Sequence, residues 1–138
     1  MRRVLVSLAA LSLLACGDFR FDTEAAYRAP IGRFDVVIHA TGLIHAGDDL
    51  ASESVADVRI TPLPGARGEP VEIHTAVPPP ADPPDVAAVI LRSGYEAPRA
   101  ELDEVNRVVD LAMRGSKATL VQGQTRALEV VSVRFRYP

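Results

Sequence analysis

The stretch PRAELDEVNRVVDLAMR, residues 98–114, decides between two folds. At 100° per residue, Leu102, Val105, Val108, Val109, Ala112 and Met113 fall on one arc, with Asp103, Glu104, Asn106, Arg107, Asp110 and Arg114 opposite. Read as a strand, only Val105, Val109, Leu111 and Met113 share parity; the helical arc accounts for more residues and misplaces only Leu111. Pro98 suits the first helical position. Glu101, Asp103 and Glu104 sit near the positive end of the helix dipole, Arg114 lies in the last turn, and Gly115 serves as the stop. Ser93-x-x-Glu96 has the form of a capping box, but Pro98 argues for the later start. A helix here makes the chain α+β. A strand would make it an all-β sandwich, which is the alternative.

Upstream of the helix the apolar period changes to two. Phe34, Val36, Ile38 and Ala40 share one face, while Asp35, His39 and Thr41 share the other with Val37. Gly42 weakens that strand, and Gly47-Asp48-Asp49 marks a turn. A second strand is expected over 55–61 with Ala56, Val58 and Ile60 inward, and a third over 71–77 with Val71, Ile73, Thr75 and Val77 inward and Glu72 and His74 outward. The breakers Pro62, Pro64-Gly65, Gly68 and Pro70 form the loop between them. Residues 86–91 are continuously apolar, which suits a central strand covered on both faces. After the helix, short strands are expected over 118–122 and 128–137 with a turn over 123–126. The order predicts a mostly antiparallel sheet of about six strands with the amphipathic helix packed on one face.

Residues 78–84, Pro-Pro-Pro-Ala-Asp-Pro-Pro, are stiff and extended. Halves divided there would each be near 50 residues, marginal without disulfides or metal. The segment therefore reads as a connection inside one domain spanning 30–138, with a proline-rich ligand for a partner as the alternative.

The first sixteen residues have a different character. Arg2 and Arg3 precede Val4 to Ala15, a run of twelve apolar or small residues interrupted only by Ser7 and Ser12. A permanent membrane helix needs about 20 residues, whereas a cleavable secretory signal has an apolar core of roughly 7–15. Leu13-Leu14-Ala15-Cys16 resembles the lipobox of bacterial prolipoproteins, in which two apolar or small residues and a small residue precede an obligatory cysteine. The resemblance is confined to this segment. It implies a diacylglyceryl group on the Cys16 thiol, cleavage after Ala15, and acylation of the new amine, giving an envelope lipoprotein held by lipid through Cys16. One acyl chain holds marginally, at about 0.8 kcal/mol per buried CH₂, and two or more hold stably. Gly17 rather than aspartate after the cysteine leans toward the outer membrane, facing the periplasm. Residues 16–29 are expected to form a lipidated tether, although Phe19, Phe21 and Thr23 would also permit a short first strand.

Arg2 and Arg3 leave with residues 1–15, so the mature 123 residues keep 13 basic and 18 acidic side chains, a net of −5. That balance is a poor fit for nucleic acid, which needs a basic patch to replace phosphate counterions. Cys16 is the only cysteine, so no disulfide can form after its acylation.

Chemistry-bearing residues are scattered. His39 and His45 are six residues apart on a strand, about 20 Å, too far to share an ion, and a pair of His39 with His74 depends on cross-strand register. Asp48, Asp49, Glu53 and Asp57 form an acidic cluster without the D-x-[DN]-x-[DN]-G ladder of a calcium loop. Ser52, Ser54, Ser93, Ser116 and Ser132 lie outside any G-x-S-x-G elbow, and no phosphate-cradling glycine motif occurs. Arg134 and Arg136 are expected to keep a sheet face soluble or to block edge pairing, with contact to an acidic partner or lipid headgroups as the alternative. The expectation is a small non-catalytic domain, with no cofactor, binding an envelope protein or cell-wall component. The alternative is a lipid-tethered hydrolase or metal-dependent enzyme using His39 or His74.

Overall fold

A computed structural model describes residues 17–29, 33–77, 84–121, 126–127 and 131–136. Four long strands, β1 (Phe19–Arg28), β2 (Phe34–Ile44), β3 (Glu53–Pro62) and β4 (Val71–Val77), pair antiparallel in sequence order. On the other side of β1 lies β6 (Val131–Arg136), flanked by the two-residue β5 (Arg126–Ala127), so the order is β4-β3-β2-β1-β6-β5. Among the described residues three helices follow β4: α1 (Val86–Arg92), α2 (Arg99–Arg114) and α3 (Lys117–Val121). The described strands belong to one open sheet, and the fold is α+β.

Alternation builds the sheet. Phe21, Thr23, Ala25 and Tyr27 of β1, Phe34, Val36, Ile38 and Ala40 of β2, and Ala56, Val58 and Ile60 of β3 are buried on one face, as the period-two pattern requires. The buried arc of α2, Leu102, Val105, Val108, Val109, Ala112 and Met113, lies over β1 and β2. Leu111, the misplaced residue, is half-buried and packs against the same cluster. Gly115 ends α2 at φ 23°, its N–H donating to the Leu111 carbonyl at 3.1 Å.

Three expected elements are different. Residues 19–28 are a strand inside the sheet, not a tether, because alternation continues past Thr23 through Ala25 and Tyr27 and those side chains fill the core. Residues 86–91 lie in α1. The Asp85 carboxylate accepts the Ala88 N–H at 3.1 Å and an Asn106 Nδ2 hydrogen at 3.0 Å, and the helix buries Val86, Ala87 and Ile90 while Leu91 stays 51% exposed. The strand expected over 118–122 is the helix α3 as far as Val121. Ser116 starts it, its Oγ accepting the Thr119 N–H at 3.2 Å, and Leu120 is buried. Ser93 closes α1, donating from Oγ to the Val89 carbonyl at 2.8 Å, instead of opening a capping box. Gly42 lies within β2, opposite Phe21, and the strand runs through it to Ile44. Residues 78–83, most of the proline-rich connection, lie outside the described residues, as does the turn at 123–125.

Candidate functional site

The helices cover one face of the sheet; the other face carries the chemistry. Its side chains come from the outward positions of β1 to β4 and form rows across the strands. One row runs Glu24, His39, Asp57, His74, and the next Ala26, Val37, Arg59, Glu72. Arg134 stands opposite Glu24 in the register; its side chain lies outside the described residues.

Acidic and basic side chains on neighbouring strands meet. His39 Nε2 lies 2.8 Å from an Asp22 oxygen, and His74 Nδ1 lies 2.8 Å from an Asp57 oxygen. Arg59 donates to Glu72 at 3.0 Å, Arg136 donates to Glu24 at 3.0 Å, and Arg28 donates to Asp35 at 2.7 and 3.3 Å. The hydrogen bond to Asp35, and then its charge, raises the Arg28 pKa above its ordinary value. These pairs are solvent-exposed and screened by salt, so they add little to stability. Val37 and Val55 are 47% and 38% exposed among them. Val37, His39, Asp57, Arg59, Glu72 and His74 border a shallow depression of about 470 Å³. The surface offers alternating charge with two apolar points, a chemistry of docking by ion pairs and apolar contact.

The register resolves the histidine question. His39 and His74 share a row with Asp57 between them, two strand spacings or about 10 Å apart. That is too far for one metal ion. Among the described residues no group of three or more His, Cys, Asp or Glu side chains is arranged to hold a metal. His45 lies just after β2, 3.8 Å from Asp18 and 4.0 Å from Glu53. The acidic residues are spread out. Asp48 and Asp49 lie in the loop after β2, where the Asp49 carbonyl accepts the Lys117 N–H at 2.7 Å, while Glu53 and Asp57 are on β3. Ser54 is buried under the sheet, Ser93 and Ser116 serve helix ends, and Ser132 sits opposite Ala26. Ser52 Oγ is buried with no hydrogen-bond partner among the described residues.

Asp22, the partner of His39, belongs to the segment expected as tether. Its signal was the parity of Arg20, Asp22 and Glu24 opposite Phe19, Phe21 and Thr23. Leu13, Leu14, Ala15 and Cys16 lie outside the described residues. No helix among the described residues is long and apolar enough to cross a membrane, which says nothing of strands.

The class defined by this geometry is an open-faced α+β sheet domain with helices on one side. No family model, no curated protein and no solved structure matches the chain.

Proposed function

We propose that the chain is a bacterial envelope lipoprotein, held at the outer membrane facing the periplasm by acyl chains on Cys16, whose domain binds another envelope component through the open face of its sheet. The observation that carries the reading is the short distance between two features. The Leu13-Leu14-Ala15-Cys16 pattern stands immediately ahead of β1, which begins at Phe19. Three residues of extended chain span at most about 11 Å, so acyl chains on Cys16 would hold the Phe19 end of the sheet close to the headgroups. The exposed ion pairs and Val37 and Val55 then give a partner at that surface charged and apolar contacts without enclosing a substrate.

Photo-crosslinking amino acids at Val37 and Val55 test the binding face in cells, with Leu91 on the helical layer as control. The reading expects one envelope protein or cell-wall fragment captured from both sheet positions and not from Leu91. Capture of the same species from all three positions would contradict it.

A further inference from the structure

Strand β4 is an edge. It pairs with β3 on one side, and no described strand pairs with the other. Exposed edges carry unsatisfied backbone donors and acceptors and are templates for another strand. Helix α2 packs over β1 and β2 and reaches β3 and β6, so Val71 and Ile73, the inward residues of β4, remain half-buried. Pro70 precedes the strand and Pro78 follows it, and neither supplies an N–H, which confines an added strand to the seven residues between.

We propose that β4 pairs antiparallel with β4 of a second copy of this chain, about a two-fold axis at Ile73. Pairing that keeps the buried face buried must join residues of like parity. The alternatives then differ in charge. An axis at Glu72 sets Glu72 against its own copy, and an axis at His74 sets two histidines together. An axis at Ile73 sets Glu72 opposite His74 of the second copy at two symmetric places, Ile73 opposite Ile73, and Val71 opposite Thr75. Two carboxylates directly across an antiparallel pair destabilise it, whereas a carboxylate opposite an imidazole can accept its ring N–H.

This register also continues the order on the open face. Within one copy the row Glu24, His39, Asp57, His74 alternates acidic with basic side chains. Across the axis it meets Glu72 and then Arg59, the neighbours in the adjacent row. The alternation carries over without a like-charge contact. The axis is normal to the sheet, so both open faces lie on the same side and make one surface. The inference stands apart from lipidation of Cys16, since it uses only β3 and β4.

Disulfide trapping reads the register directly. In full-length chain with Cys16→Ser, which removes the only native thiol, Glu72→Cys and His74→Cys proteins are oxidised separately and as an equal mixture. Their native side chains are exposed, so the fold tolerates both changes. Directly opposed residues have Cβ atoms about 4.5–5.5 Å apart against about 7–8 Å for the diagonal positions, and a disulfide requires about 3.5–4.5 Å. The mixed Glu72→Cys/His74→Cys dimer is therefore expected at least about tenfold faster than either homotypic product. Equal rates for all three, or dominance of the homotypic His74→Cys dimer, would overturn the proposal. As a second readout, Glu72→Lys is expected to weaken sedimenting dimer about tenfold. A chain that sediments as monomer at every attainable concentration, with no trapping preference, refutes the pairing.

Discussion

Gly42 has a specific job in β2. It lies directly opposite Phe21 of β1, whose ring is 3% exposed, and a Cβ at position 42 would run into that ring and approach the Glu53 carbonyl oxygen to 2.8 Å. The glycine leaves the ring its place against β2. In an unobstructed strand, alanine for glycine is favourable by about 0.5–1 kcal/mol, because the unfolded chain loses less freedom. Forcing a methyl into a packed core costs about 1–3 kcal/mol. Gly42→Ala should therefore destabilise by about 1–2 kcal/mol, lowering the melting temperature by about 3–10 °C in a domain of this size. The cause is the ring, so the penalty must depend on it. Phe21→Ala alone should cost about 3–5 kcal/mol, and Gly42→Ala added to it should cost clearly less than in the parent, the Glu53 backbone oxygen remaining as an obstacle. Urea denaturation of the four proteins closes a double-mutant cycle with a coupling of about 1–2 kcal/mol. A Gly42→Ala protein as stable as the parent, or an equal penalty in both backgrounds, would refute the packing argument.

Three further outcomes follow from single residues. Asp85→Ala removes the α1 cap and the partner of Asn106 and should destabilise by about 0.5–2 kcal/mol at neutral pH. The hydrogen bond from Asn106, then that from Ala88, lowers the Asp85 pKa, so its contribution is full above the ordinary carboxylate range and lost as pH falls through the lowered value; urea midpoints of the two proteins should converge in acid. Thr23 is fully buried with Oγ1 lacking a hydrogen-bond partner among the described residues, so Thr23→Val should raise the melting temperature, by about 1 kcal/mol of stability. Burial, and then Glu101 and Glu104, pushes the Tyr27 phenol up to about 12. Its folded pKa is the higher one, so its contribution is complete below the unfolded value and drains away as pH rises toward 12; Tyr27→Phe should flatten that alkaline decline in denaturant midpoints.

Helix α2 and the inward faces of β2, β3 and β4 were legible because each has a pattern of one period, long enough to exclude the other. Residues 86–91 were not, because a short apolar run carries no period and fits a buried strand or a helix equally. The deciding signal stood outside the run, in Asp85 after Pro84, a cap whose acceptor role α1 displays. Ser116 gave the same signal ahead of α3. Residues 19–28 alternate over ten positions, but a spacer after the cysteine expected to be acylated was the competing demand, and the core needed the strand. For the site, parity put His39 and His74 outward, whereas their common row with Asp57 depends on the register of three strands. Local patterns do not contain that register.

Mass spectrometry of the N-terminus from the membrane fraction tests the proposed lipid anchor. A first residue of Cys16 carrying diacylglyceryl and amide-linked acyl mass is expected, and with Cys16→Ser an unacylated, unprocessed chain. Detection of an unmodified Cys16 within an uncleaved N-terminus, or unchanged processing and membrane retention of the Cys16→Ser protein, would contradict it.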